Sequence, residues 1–193
     1  MINDALFYQP YEIIGGEKIM SAMAYLNHSG IIMNLGNKIF NYVVANKCGY
    51  VFTDDVDVHF PDGNLFRPDL TVITAENKKI LNWKGAINGV PDMVVEVLSR
   101  STKKNDLTIK KDIYESNGVK EYWIVDPYMK SVDVYILQDG KFELDDTYFK
   151  YDADELDTLT DEEKALERTE IKVSIFDDLF VKVEDIFSWG CDI

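Results

Sequence analysis

The stretch Gly89 to Asp126, GVPDMVVEVLSRSTKKNDLTIKKDIYESNGVKEYWIVD, decides the fold of this chain. Its apolar run Met93 to Leu98 places Val, Met and Leu on both faces, the composition of a strand in the middle of a sheet rather than at an edge. One carboxylate, Glu96, interrupts the run. An ionised acid there costs several kcal/mol unless a cation, a metal or a set of donors offsets it. Two sources of positive charge are open: a lysine from the next helix, or a divalent ion shared with a second acid from another strand. The second acid is Asp69 in Arg67-Pro68-Asp69-Leu70-Thr71-Val72-Ile73, again at the head of a β-branched run.

Beyond the Glu96 strand, Ser99 or Ser101 can cap a helix over Lys103 to Asn117, with Gly118 in the C′ position. Glu121 to Val125 then reads as an aromatic-rich strand, turned by Asp126-Pro127. Strand, helix, strand in this order is a right-handed crossover that lays the helix over the Glu96 strand. On a wheel of about 100° per residue centred on Ile113 and Asp106, Lys110 falls at the edge of the inward face and Lys111 well outside it. Lys110 is thus the lysine that reaches the sheet. Asp106, Lys110 and Tyr114 recur at i, i+4 and i+8, which is equally the spacing of an ordinary helix-stabilising pair. Asp92 shares strand and face with Glu96, but four residues at roughly 3.3 Å each separate them by about 13 Å. The two cannot share one ion, so Asp92 is read as a strand-entry residue.

Working outward, Tyr11 to Ile14, Gly15-Gly16 and Glu17 to Met20 form a hairpin pattern. Asn27 to Lys47 has helical apolar spacing at Ile31, Ile32, Leu35, Ile39, Val43 and Val44, with Asn27 or Ser29 as N-cap and Gly49 as terminator. Tyr50 to Phe60 holds one or two strands closed by a turn at 61–64, and residues 75–89 are a polar surface excursion. Val132 to Leu137 and Phe142 to Tyr151 pair around Asp139-Gly140. Thr160-Asp161-Glu162-Glu163 has the capping-box form, and Val173 to Phe187 supplies a last strand or helix. The order predicts an α/β (α+β) fold, a mixed β-sheet core flanked by helices with an N-terminal β-hairpin. At 193 residues, one domain over 1–193 is expected.

Composition, 46% apolar and 12% aromatic, is that of a globular chain. No apolar run approaches the roughly 18 residues that span a bilayer, and MINDALFYQP lacks a basic flank before an apolar segment, so a cytoplasmic location without membrane contact is expected. Cys48 and Cys191 have neither metal-ligand spacing nor a disulfide framework and are read as small core or terminal residues. The net charge of −15 is uneven: residues 143–170 carry −9, residues 1–142 only −3. The acidic segment is a solvated face, or else limits non-specific DNA contact or binds a partner.

The arrangement Arg67-Pro68-Asp69, Val94-Val95-Glu96-Val97-Leu98-Ser99, Asp106 with Lys110 and Tyr114, then Gly118-Val119 and Glu121-Tyr122-Trp123-Ile124-Val125-Asp126, resembles the Uma-two family, restriction endonuclease-like proteins of the PD-(D/E)XK nuclease superfamily. Tyr11-Glu12-Ile13-Ile14-Gly15-Gly16-Glu17 is similar to the family's N-terminal hairpin, and His28 falls where the family has a histidine opening the first helix; residues 143–193 match loosely. The resemblance implies a restriction endonuclease-like fold and a Mg²⁺ site, with Mn²⁺ as an alternative. In the superfamily a lysine stands two residues after the second acid, whereas here that position is Leu98. A helix-borne lysine replaces it in the family, and both that and the wheel select Lys110.

The expected site is therefore Asp69 and Glu96 as metal ligands and Lys110 beside them, hydrolysing phosphodiester bonds of nucleic acid, DNA foremost. Glu17 is a further candidate carboxylate or an exposed hairpin residue, and His28 contacts the site or caps its helix. Arg67, Arg100, Lys103 and Lys104 are candidate phosphate contacts or solvated charges. Tyr114, Tyr122 and Trp123 are expected in the core. A homodimer suits an enzyme that cuts both strands. Two rival readings are a catalytically silent binding protein on the same fold, and a purely structural Glu96–Lys110 ion pair.

Overall fold

The computed structural model describes residues 11–20, 25–53, 56–99 and 103–189. The expected hairpin opens it: β1 (Tyr11–Ile14) and β2 (Glu17–Met20) turn through Gly15 and Gly16 at φ 59° and 85°. Helix α1 (Leu26–Asn46) buries Ile31, Ile32, Leu35, Ile39 and Val43 of the stripe its spacing predicts, while Val44, expected on that face, is exposed. Its ends correct the expectation. Tyr25 is the N-cap without a side-chain cap, and Lys47, in the left-handed region at φ 52°, closes the helix. Gly49 instead begins β3 (Gly49–Thr53), where a Cβ would collide with the Ile73 carbonyl of the neighbouring strand.

Short strands β4 (Val58–His59) and β5 (Leu65–Phe66) lead to β6 (Leu70–Thr74). A 3-10 segment, Ala75–Ile80, and β7 (Ile87–Asn88) precede β8 (Met93–Val97), the Glu96 strand. The crossover helix spans residues 103–117 in three parts: α-helical Lys103–Asn105, a wider π turn Asp106–Lys110, and α-helical Lys111–Asn117. Gly118 ends it at φ 86°, and β9 (Glu121–Asp126) returns parallel to β8. β10 (Ser131–Gln138) and β11 (Lys141–Phe149) form the second hairpin about Asp139 and Gly140, both at positive φ. Short helices Ala153–Leu156 and Asp161–Leu166 occupy the acidic segment. A small hairpin, β12 (Glu170–Lys172) and β13 (Phe180–Lys182), and helix Val183–Ile186 close the described chain. The last region thus contains both a strand and a helix. Ser101 and Cys191 lie outside the described residues, and Cys48 is half-buried against the core. Among the described residues no helix is long and apolar enough to cross a membrane.

The main sheet has the order β11-β10-β9-β8-β6-β3, mixed because only β8 and β9 run parallel; a second sheet has the order β2-β1-β5-β4-β7. Strand parity sorts β8 between two cores. Val95 and Val97 face α1 and the C-terminal elements, while Val94 and Leu98 face Tyr114 of the crossover helix and Val58 and Phe66 of the second sheet. Glu96 has the parity of Val94 and so enters the second layer. Burying Val94, Val95 and Val97 stabilises by about 1.5–3 kcal/mol each, enough to hold one acid among them.

Candidate active site

β6 and β8 are antiparallel with Leu70 opposite Val95, so one step further Asp69 stands opposite Glu96. Residues opposed across neighbouring strands share a face, with Cβ atoms about 4.5–5.5 Å apart. The Asp69 side chain caps the end of this ladder: its Oδ2 accepts the Val97 N–H at 2.6 Å and lies 3.1 Å from His28 Nε2. Glu96 Oε1 accepts from Lys110 Nζ at 3.0 Å and from the Tyr114 hydroxyl at 2.6 Å. None of these bonds uses Asp69 Oδ1 or Glu96 Oε2.

Lys110 Nζ also lies 2.9 Å from Glu12 Oε1 and 3.4 Å from Asp106 Oδ1. Glu12 Oε1 in turn accepts the Arg67 backbone N–H at 3.0 Å, tying the N-terminal hairpin to the site. Three carboxylates, Glu12, Glu96 and Asp106, therefore gather around one ammonium, and Asp69 faces Glu96 from the next strand. Glu96 is 3% and Lys110 4% exposed. The wheel placed Lys110 only at the edge of the inward face because it assumed an α-helix throughout. The π turn at Asp106–Lys110 advances by a smaller angle per residue and rotates Asp106, Lys110 and Tyr114 into one buried column.

The electrostatics follow from this crowding. Burial drives the Glu96 carboxyl well above its ordinary range; Lys110 opposes the shift, and Asp106, Asp69 and Glu12 add to it. Burial alone would lower Lys110, but Glu96, Glu12 and Asp106 outweigh it and hold the ammonium well above its ordinary value. Tyr114 is raised well above the usual phenol range by burial and by Glu96, so it remains a donor.

Asp69, Glu96 and Lys110 are thus brought together, and of the two readings of His28 the structure has the contact with Asp69. Glu17 is not among them: it is exposed beside the hairpin turn, and the hairpin's acid at the site is Glu12 on the other strand. Glu12 and Ile14 share the buried side of β1, a signal of period two that the adjacent pair Ile13 and Ile14 blurs. Arg67 is turned away from solvent, its Nε 2.5 Å from Asp57 Oδ1 with only 11% of the side chain exposed. Lys103 is half-exposed and paired with Asp126 at 2.9 Å, Lys104 is exposed, and Arg100 lies outside the described residues. Tyr114, Tyr122 and Trp123 are core, with Tyr122 donating to the Asp106 carbonyl at 3.1 Å. Asp92 is a structural residue, bound by Thr74, Asn77 and Lys120.

Among the described residues no three His, Cys, Asp or Glu side chains are arranged to hold a metal ion. The donor chemistry nonetheless fits Mg²⁺, which is held by one or two carboxylates and keeps several waters. Asp69 and Glu96 are such a pair, each with an oxygen outside the hydrogen bonds described.

A family model described as "Putative restriction endonuclease" matches residues 8–173. A crystal structure from Anabaena variabilis, described as "a putative nuclease belonging to DUF820", is similar to this fold with a TM-score of 0.65 at 22% identity, covering 93% of this chain and 90% of that one. No curated protein matches. The structural likeness carries the fold, and the matched span contains the hairpin, both facing acids and the crossover helix. The chain therefore belongs to the Uma-two (Uma2) family, whose description, with the nuclease-like fold, supports a nuclease function.

Proposed function

We propose that this chain is a divalent-metal-dependent endonuclease that hydrolyses phosphodiester bonds in nucleic acid, with DNA as substrate. The observation that carries this reading is the pairing of Asp69 with Glu96 across β6 and β8, inside a cluster of four acids of which three meet one ammonium. Such an excess of buried negative charge favours a bound cation. Asp69 and Glu96 would hold Mg²⁺ or Mn²⁺. A divalent ion in that position supplies Lewis-acid polarisation of a phosphoryl oxygen and a more acidic water.

The remaining work falls to the chain's own groups. Lys110 stays protonated, so it acts by charge rather than as a base, offsetting the negative charge that grows on the phosphorus oxygens. Tyr114 and the Val97 N–H each fix one oxygen of Glu96 and Asp69, orienting the carboxylates before substrate arrives. His28 orients Asp69 from the start of α1. Glu12 fixes Lys110 and is a positioning residue.

Calorimetry with Mg²⁺ and Mn²⁺, paired with nicking assays on plasmid and single-stranded DNA, tests this. Wild type should bind the ion and nick, and Asp69→Ala should lose both. A wild type that neither binds ion nor cleaves would sink the proposal. That outcome would favour the second reading, a nucleic-acid-binding protein without turnover, for which Leu98 in place of a lysine two residues after Glu96 speaks.

A further inference from the structure

Residues 75–89 remain without a role in the site. Their tip is a turn over 82–86, closed by the Asn82 N–H on the Ala86 carbonyl at 3.1 Å and the Gly85 N–H on the Asn82 carbonyl at 2.9 Å. It carries Trp83, 73% exposed, and Lys84. The indole is nevertheless held: its ring stands edge-on to Tyr50 at 5.6 Å and tilted to Phe52 at 6.3 Å. An aromatic fixed by two others while most of its surface stays in water is an open stacking surface.

Two independent connections put this surface beside the acid pair. Along the main sheet, Tyr50 and Phe52 lie on one face of β3, and Phe52 is opposite Thr71, two residues from Asp69 on the same side of β6. Along the second sheet, β7 runs parallel to β4, and the Ile87 N–H donates to the Asp57 carbonyl at 2.9 Å. The 82–86 turn therefore lies at the end where Asp57 meets Arg67 and Arg67 meets Glu12. From strand spacing, Trp83 is on the order of 10–15 Å from Asp69. The charge is also local: residues 75–89 carry exposed Lys78, Lys79 and Lys84 against Glu76, a net +2 in a chain of −15.

We propose that Trp83, backed by Tyr50 and Phe52 and carried on the same segment as these lysines, is a stacking platform for an unpaired nucleobase of the strand whose phosphodiester enters the Asp69–Glu96 site. The proposal rests on the nuclease reading and names its substrate class: single-stranded, frayed or flipped nucleic acid. A polyanion with exposed π faces satisfies both the lysines and the indole. Bases stacked inside an intact duplex offer the indole no free face.

Binding of short fluorescent oligonucleotides to the full chain in EDTA, where turnover is blocked, tests the platform apart from the chemistry. Trp83→Ala should weaken single-stranded DNA and RNA binding by about tenfold, Trp83→Phe should restore most of it, and duplex binding should not change. In a Trp189→Phe background Trp83 is the exposed indole, since Trp123 is buried, and the single strand should quench its emission. Unaltered binding by Trp83→Ala, or no quenching, overturns the platform. Trp83-dependent binding without cleavage in Mg²⁺ supports the platform and removes the nuclease reading instead.

Discussion

Two acids flank the same strand, and their surroundings are opposite. Asp92, just before β8, accepts from the Thr74 N–H at 2.8 Å, the Thr74 hydroxyl at 3.0 Å, Asn77 at 3.1 Å and Lys120 at 2.7 Å. Burial pushes its carboxyl up, but these donors outweigh burial and hold it below its ordinary value. Glu96, four residues on, meets two donors on one oxygen and three further carboxylates nearby, and is driven well above its ordinary value. Asp92 carries more donors, while Glu96 lies deeper and among other acids. The satisfied acid joins strands, and the crowded one is held ready for a cation.

Cleavage is where the pair should separate most. Glu96→Gln is expected to lower metal-dependent nicking by a factor on the order of 10²–10³ or more. Asp92→Asn should keep its activity per folded molecule while losing about 1–3 kcal/mol of stability, because the amide keeps one oxygen for Thr74 and Asn77 but sets an NH₂ group against the Lys120 ammonium. Nicking rates normalised to the folded fraction check both. Equal losses in the two variants would erase the distinction.

Lys110 gives the next largest effect. Lys110→Ala removes the ammonium from among three acids, so cleavage should fall on the order of a hundredfold and stability by about 3–5 kcal/mol. Lys111→Ala should leave cleavage unchanged, since Lys111 lies over the Tyr135 ring at 3.6 Å on another side of the helix. Loss of cleavage in Lys111→Ala alone would point to a different column of the crossover helix.

The two acids should also give opposite pH slopes in metal-free thermal melts. Asp92 has a lowered native pKa, so its contribution is present above the ordinary aspartate value of 3.8 and is lost as pH falls through the native one. Glu96 has a raised native pKa. Its contribution is present below the ordinary glutamate value of 4.5 and declines as pH climbs toward the native one. Above the ordinary glutamate value, Glu96→Gln should flatten that decline and raise the melting temperature relative to wild type. Saturating Mg²⁺ should do the same to wild type. A melt of Glu96→Gln that follows wild type across the range would mean that folding does not shift the Glu96 carboxyl, and the contrast with Asp92 would be lost.

What the sequence made legible follows from how local each signal is. The parity of β8, the i and i+4 spacing of Asp106 and Lys110, and the φ of Gly118 are set within a few residues, and each was readable. The opposition of Asp69 and Glu96 needs a strand register across 27 residues of sequence, yet the β-branched runs after Asp69 and around Glu96 made the pairing the natural one. Glu12 was not readable, because it is brought to Lys110 by the packing of one sheet on another, over 98 residues of separation. The π turn was equally hidden. Nothing in Asp106-Leu107-Thr108-Ile109-Lys110 forbids an ordinary α-helix, and the wider turn accompanies the seating of Lys110 among its acids.

The hairpin acids provide the smallest and sharpest version of the comparison. Glu12 and Glu17 sit five residues apart on paired strands, one buried against Lys110 and Arg67, the other exposed at the turn. Glu12→Gln keeps an oxygen for the Arg67 N–H and for Lys110 but removes one of the charges holding the ammonium. Cleavage should drop by only a few-fold, about what a charge-assisted hydrogen bond gains over a neutral one. Because Lys110 would then give up its proton more readily, the alkaline limb of the rate profile should move to lower pH. Glu17→Gln should shift stability by no more than about 0.5 kcal/mol and leave the profile in place. If Glu17→Gln moved the alkaline limb and Glu12→Gln did not, the hairpin would have to dock in the other register, with its second strand facing the crossover helix.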